Sequence, residues 1–320
     1  MLTFLYCLDE NYNIQSIVSL SSLLDNVSKK INVIFLHKNP ETLKTTKMFD
    51  NILSHERLNK VDFIKFNKDN LDFPNLDNVH VSEATYYRLY ITDHIDMKNS
   101  LVYIDPDVIC LNDPIKELED LLIKLEDSQF VISAYPETLK SNKNVEEFHR
   151  LLMNGDKLFN AGVMLIDYKK WKNLNLTPKL TKRLHEIYDD IVFWDQDVLN
   201  SFFDSNFLEL DKKFNYKIND FNNVETNSLQ NILEIKKDII FAHYSGKFKP
   251  WTVRGTLHPS SRFYQNVYAA LSKRHYHIEN NWKRQAFKDL TKSIFNMEIL
   301  KLEKPLGFLN SVLNYLFKFK

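Results

Sequence analysis

Two carboxylates one residue apart, Asp105 and Asp107 with Pro106 between them, end the apolar run Leu101-Val102-Tyr103-Ile104. In an extended segment residues i and i+2 face the same side, so both carboxylates can face one hard cation, with Pro106 stiffening the turn. A near-continuous apolar run marks a strand buried in a parallel sheet, and ligands of open α/β sheets sit beyond the carboxyl ends of such strands. The local chemistry is a divalent-metal site for a phosphate-bearing ligand. Taken alone, Asp-x-Asp is also the pattern of a solvated loop with a helix cap.

Other residues able to do chemistry fall at comparable places. Asp9 and Asn11 follow the run Leu2–Leu8, where they serve either a ligand or the cap of the next helix. His243 ends Ile239-Ile240-Phe241-Ala242 and leads into Ser245-Gly246-Lys247-Phe248-Lys249, whose lysines beside a glycine suit a diphosphate as point charges. Asn160-Ala161-Gly162 puts a polar side chain and two small residues at the head of a strand, which permits close backbone approach of a ligand; the chain has only 5 glycines. Asp195-Gln196-Asp197 opens a helix, where first-turn side chains and free amides face outward. Arg88 is the only arginine of the segment Ser82–Ile95, which reads as helical; it suits a phosphate or sugar contact, or a plain ion pair.

The elements that position these residues alternate between strand and helix. Strands are expected over Leu2–Leu8, Ile31–His37, Val61–Phe66, Phe130–Tyr135, Phe159–Ile166 and Ile239–His243, and helices over Ile14–Leu24, Pro40–His55 and Asp113–Glu126. This predicts an α/β fold with a mostly parallel sheet flanked by helices. With 320 residues, 42 basic and 42 acidic, the chain can bury a large core, and no global field draws it to nucleic acid. Its 2 cysteines, Cys7 and Cys110, sit beside strand-like runs and suit inert buried thiols of a reducing compartment. The first residues lack a basic n-region, and no window approaches the roughly twenty apolar residues of a membrane span, so a soluble intracellular body is expected.

Each motif is weak, but their order over residues 1 to 280 resembles glycosyltransferase family 8, retaining enzymes that include lipopolysaccharide galactosyl- and glucosyltransferases and glycogenin-like proteins. The matching pieces are Asp9-Glu10-Asn11-Tyr12, Thr85-Tyr86-Tyr87-Arg88-Leu89, Tyr103-Ile104-Asp105-Pro106-Asp107, Phe159-Asn160-Ala161-Gly162, Asp195-Gln196-Asp197 and His243 through Trp251. The resemblance implies a GT-A fold binding a UDP-hexose with Mn²⁺, or Mg²⁺ in its place. It makes Asp105, Asp107 and His243 the metal ligands, a set suited to a six-coordinate ion. It puts Asp9 and Asn11 on uridine and ribose, and Gly246 and Lys249 on the diphosphate. Arg88, Asn160 with the adjoining Ala161 and Gly162, and the catalytic stretch Asp195, Gln196 and Asp197 fall to the hexose, with Gln196 nearest the reacting carbon. An amide is a poor nucleophile, which favours front-face attack. Family members carry an aspartate near the transferred sugar where this chain has Val131–Glu137; either Glu137 replaces it or nothing does.

The catalytic domain is expected over residues 1 to 282. From 283 to 320 basic residues (Lys283, Arg284, Lys288, Lys292, Lys301, Lys304, Lys318, Lys320) outnumber acidic ones (Asp289, Glu298, Glu303), and apolar residues recur at helical spacing. An interfacial helix pair on an anionic membrane looks like this, as do two helices packed on the body. The function read from sequence is transfer of galactose or glucose from UDP to a cell-surface glycan such as lipopolysaccharide, at the cytoplasmic face of the inner membrane. A protein-linked glycan acceptor and a non-catalytic nucleotide-sugar binder are the alternatives.

Overall fold

The computed structural model describes residues 1–67, 71–74, 82–280 and 282–317. Lys318 and Lys320 of the basic tail lie outside the described residues. Among the described residues ten strands form two sheets. The larger has the order β3-β2-β1-β4-β7-β6-β8: β1 is Thr3–Leu8, β2 Ile31–His37, β3 Leu58–Lys65, β4 Leu101–Ile104, β6 Ile132–Leu139, β7 Lys157–Ile166 and β8 Leu208–Glu209. Neighbours pair in parallel except β4 with β7 and β7 with β6. The smaller sheet, β5-β10-β9, joins Val108–Cys110, Phe241–His243 and Tyr216–Lys217.

Alternation along β1 explains why its sequence is apolar throughout. Phe4, Tyr6 and Leu8 enter one core cluster and Leu5 and Cys7 another, so helices cover both faces and neither face reads as polar. β1 lies between β2 and β4, the point where the order of the parallel strands reverses. That reversal opens a crevice at the carboxyl ends of β1 and β4, beside Asp9 and Asp105. Cys7 and Cys110 are free and buried, and burial pushes both thiols up.

Several expected elements come out differently. The run ending at Asp107 is not one extended segment: β4 stops at Ile104, a turn follows in which the Val108 amide donates to the Asp105 carbonyl (3.2 Å), and β5 starts in the other sheet. The expected helix Pro40–His55 divides into Pro40–Lys44 and Phe49–Leu53. Between them the hydroxyls of Thr45 and Thr46 donate back to the carbonyls of Glu41 and Thr42, both at 3.0 Å, a local bond that competes with helix continuation. The helical segment around Arg88 is a 3₁₀ helix, Glu83–Tyr90, running into the short α-helix Ile91–His94.

The C-terminal helices Lys283–Phe295 and Pro305–Phe317 bury Ala286, Leu290, Phe308 and Val312 in a cluster with Val253 and Ile278 of the body. They also leave Phe287, Phe295, Leu306 and Phe317 exposed. Among the described residues no helix is long and apolar enough to cross a membrane.

Candidate active site

The turn between β4 and β5 aims both aspartates at β10, the middle strand of the small sheet. His243 Nε2 lies 3.4 Å from Asp107 Oδ1 and 3.9 Å from Asp105 Oδ2, and ligand atoms of the three lie within 4.8 Å of one another. Asp107 Oδ1 is enclosed and has no hydrogen-bond partner. An orphaned carboxylate oxygen facing an imidazole nitrogen is costly unless a cation takes it up, so these donors fit a divalent metal. The imidazole is oriented from behind. Asn215 Nδ2 donates to Asn160 Oδ1 (2.9 Å), which turns Asn215 Oδ1 toward His243 Nδ1 (2.8 Å). His243 Nδ1 therefore carries the proton, and Nε2 turns its lone pair toward the two aspartates, where it could bind a metal ion. Asn215 was not legible as a site residue: an Asn between Phe214 and Tyr216 carries no spacing signal.

Gly162 has a part that the sequence does not show. A Cβ there would lie 2.2 Å from His243 Cε1, so the small residue makes room for the histidine ring. Its carbonyl accepts the Asp105 amide (2.8 Å), tying β7 to the metal turn. Lys249 Nζ donates to Asp107 Oδ2 and to the Tyr244 carbonyl (2.8 Å). Burial opposes the charge of Asp107, but the Lys249 ammonium outweighs it and holds its carboxyl well below the usual range. Burial raises Asp105, against the pull of Arg88 and with the like charge of Asp107 added. Gly246 takes φ +79°, where an L side chain is strained.

Arg88 is a buried hub, 4% exposed. Its Nε pairs with Asp195 Oδ2 at 2.5 Å, Nη1 donates to the Ala161 carbonyl at 2.5 Å, and Nη2 reaches Asp105 Oδ1 at 3.5 Å. The guanidinium lies 4.2 Å from the Tyr103 ring centroid, and the Tyr103 hydroxyl donates to Asp105 Oδ1 at 2.6 Å. Arg88 thus fixes Asp105, Asp195 and the Ala161 backbone relative to one another. Removing one partner of such a buried pair costs about 3–5 kcal/mol, because the other charge is left without compensation.

Burial raises Asp195 to about 6, against the lowering effects of Arg88 and of the Thr85 hydroxyl. Because the folded value is above the ordinary 3.8, the stability this group contributes is present in acid and lost as pH rises through about 6. The ionised form prevails above that pH, and it offers both oxygens as acceptors to hydroxyl groups. Transfer rate is therefore expected to fall below pH 6, about tenfold per unit, in a pH profile. Residual activity of Asp195→Asn should lack that limb.

The helix Trp194–Phe203 begins at Trp194 in the left-handed region, φ +50°. Asp197 Oδ2 holds this turn, accepting the Val192 and Phe193 amides, both at 2.8 Å, and pairing with Arg150 Nη1 at 2.7 Å. Gln196 Oε1 accepts the Ala161 amide (3.1 Å), which leaves the Gln196 amide nitrogen for another acceptor. Asn200, absent from the sequence-based set, bridges this helix to Phe159 of β7 at 2.8 and 2.9 Å.

These groups line one cavity of about 430 Å³, which takes in Asp105, Asp107, His243, Lys249, Asn160, Ala161, Gly162, Arg88, Gly246 and the stretch 195–197. Asp9 and Asn11 bond one another at the end of β1, at 3.0 and 3.2 Å; their neighbours Leu8 and Tyr12 line the cavity and they do not. Glu137 lines the cavity and accepts Asn160 Nδ2 at 3.0 Å.

The sequence profile described as "Glycosyl transferase family 8" matches residues 3–255. The chain belongs to that family. A lipopolysaccharide 1,2-glucosyltransferase of Escherichia coli is 30% identical to this family 8 glycosyltransferase over 269 residues, 82% of this chain and 76% of the relative. General stress protein A of Bacillus subtilis is 29% identical over 192 residues, 58% of this chain and 64% of that protein. Among solved structures, the galactosyltransferase LgtC, in complex with donor and acceptor sugar analogs, matches with a TM-score of 0.66 at 20% identity. That match covers 89% of this chain and 100% of LgtC, and it makes the fold GT-A.

Proposed function

We propose that this glycosyltransferase moves a hexose, galactose or glucose, from a UDP-sugar to a cell-surface glycan such as lipopolysaccharide, forming an α-glycosidic bond with retention. The observation that carries the reading is the orphaned Asp107 oxygen facing His243, with Lys249 on the other carboxylate oxygen. That is a cation site with an ammonium beside it, the arrangement a leaving diphosphate needs. Asp105, Asp107 and His243 would hold Mn²⁺ or Mg²⁺, which would supply positive charge to the departing UDP. Lys249, bonded to Asp107, brings a second positive charge beside that site, and such charge counts for more as the leaving group develops its own than before it.

Asp195, fixed by Arg88 and Thr85, and Glu137, fixed by Asn160, are two carboxylates able to accept hydrogen bonds from hexose hydroxyls. Gln196, whose oxygen is engaged by Ala161, presents its amide nitrogen and is not a nucleophile. The acceptor hydroxyl then attacks from the face that UDP leaves, and its proton passes to the departing diphosphate. Incubation with Mn²⁺ and UDP-galactose, UDP-glucose or their N-acetyl forms tests the donor, read as UDP release. NMR of the glycan product should show an α-anomeric proton, and a β-linked product would overturn the mechanism.

We further propose that residues 283–320 attach the enzyme to the cytoplasmic face of an anionic membrane. Phe287, Phe295, Leu306 and Phe317 are exposed near Lys288, Lys301 and Lys304. Each basic residue near such a surface contributes about 1 kcal/mol, and apolar burial adds to it. The protein should float with vesicles containing phosphatidylglycerol, less so at 1 M salt, where screening falls to roughly 3 Å. Replacing Phe287, Phe295 and Leu306 by Ser should abolish flotation while leaving UDP release unchanged; flotation of that variant like the wild type would refute the attachment.

A further inference from the structure

A second cavity of about 510 Å³ opens between the Lys247–Arg254 loop and the helix Lys283–Phe295, sharing Tyr12 and Lys249 with the donor cavity. Its helical wall is Trp282, Gln285, Asp289 and Lys292. Steps of three, four and three residues put these on one face of the helix. The next face, Ala286, Leu290 and Ser293, is buried against the body. Phe287 and Ile294 stand about half a turn from the cavity face and are exposed. The helix therefore separates a polar, aromatic face from an apolar one, and the cavity opens away from the flank that suits lipid.

The lining has two kinds of chemistry. Trp251 and the exposed Trp282 offer indole surfaces, and the amides of Asn280 and Gln285 with the carboxylate of Asp289 offer donors and acceptors. Asn280 Nδ2 is enclosed without a hydrogen-bond partner, while its backbone carbonyl accepts the Tyr315 hydroxyl and is held in place. Among the described residues neither Lys247 nor Lys292 pairs with a carboxylate, unlike Arg254, which pairs with Glu298 at 2.7 Å. Indoles take the C–H face of a sugar ring, amides and a carboxylate take its hydroxyls, and two ammonium groups without a carboxylate partner favour an anion. The volume is that of a small-ligand site.

We propose that this second cavity binds a saccharide bearing a phosphate or carboxylate group. Resting on the function proposed above, its occupant is a charged inner unit of the acceptor glycan, seated against the outer side of the loop that holds the diphosphate.

The experiment is calorimetric titration of the full chain with glucose 6-phosphate, the donor site filled with UDP and Mn²⁺. UDP binding and UDP-sugar hydrolysis are measured in the same samples, so failure of the donor reading shows separately. One-to-one binding is expected, weakened at least tenfold in Trp282→Ala and in Lys292→Gln, with hydrolysis unchanged in both. Trp282 and Lys292 are exposed, so neither variant threatens the fold. Absence of saturable binding, or variants that bind like the wild type, would overturn the site. Equal binding of inorganic phosphate would reduce it to a cation cluster, and equal binding of glycerol 3-phosphate would make it a lipid-headgroup site; either result refutes saccharide recognition.

Discussion

His243→Ala and Asp107→Asn should each lower Mn²⁺-dependent transfer by about 10³-fold or more, equivalent to roughly 4 kcal/mol of lost transition-state stabilisation. The loss is expected in kcat, because the cation acts on charge that appears as the diphosphate leaves. The two variants differ in what they leave behind. His243→Ala removes one neutral donor and frees Asn215 Oδ1, whereas Asp107→Asn also strips Lys249 of its buried partner. Asp107→Asn should therefore be the less stable of the two in thermal unfolding. Mn²⁺ binding followed by electron paramagnetic resonance separates a lost ligand from a lost fold. Wild-type turnover by either variant in the presence of a chelator would remove the metal from the account.

Gly162→Ala should weaken metal binding by about 100-fold or more, although the glycine touches no metal. The added methyl would overlap the His243 ring, and β7 is anchored on both sides, to β4 and to β6. The ring must then turn, breaking its hydrogen bond to Asn215 and swinging Nε2 away from Asp107. UDP-sugar hydrolysis should recover in part at high Mn²⁺ concentration, which a misfolded variant could not do. Normal affinity in Gly162→Ala would mean that the ring does not need its observed position.

Much of this site can be read from the chain because its pieces sit where strands end. The apolar runs of β1, β4 and β10 are continuous because helices bury both faces, and the first polar residue after each run marks the crevice. What escapes is whatever depends on distant pairing. β5 is only Val108–Cys110, and its partner β10 is more than 130 residues away, so no local pattern shows that a second sheet begins after Asp107. Asn215 and Glu137 act through Asn160, and nothing in their own neighbourhoods points to it. Arg88 stands out as a lone arginine, but its role as a brace between Asp195 and Asp105 needs three segments brought together.

The turn Asp105-Pro106-Asp107 joins the two sheets, and that has a consequence for synthesis on the ribosome. β1 to β4 can pair as they emerge, burying the aspartates' strand early. The third ligand arrives with β10, and β10 must insert between β5, made long before, and β9, made shortly before it. Until residue 243 has left the ribosome the chain holds two neighbouring carboxylates without the imidazole that faces them, a weak chelate for a divalent ion. A nascent chain released short of that point is therefore expected to be inert toward nucleotide sugars, because the three side chains come together only when the smaller sheet closes, late in translation.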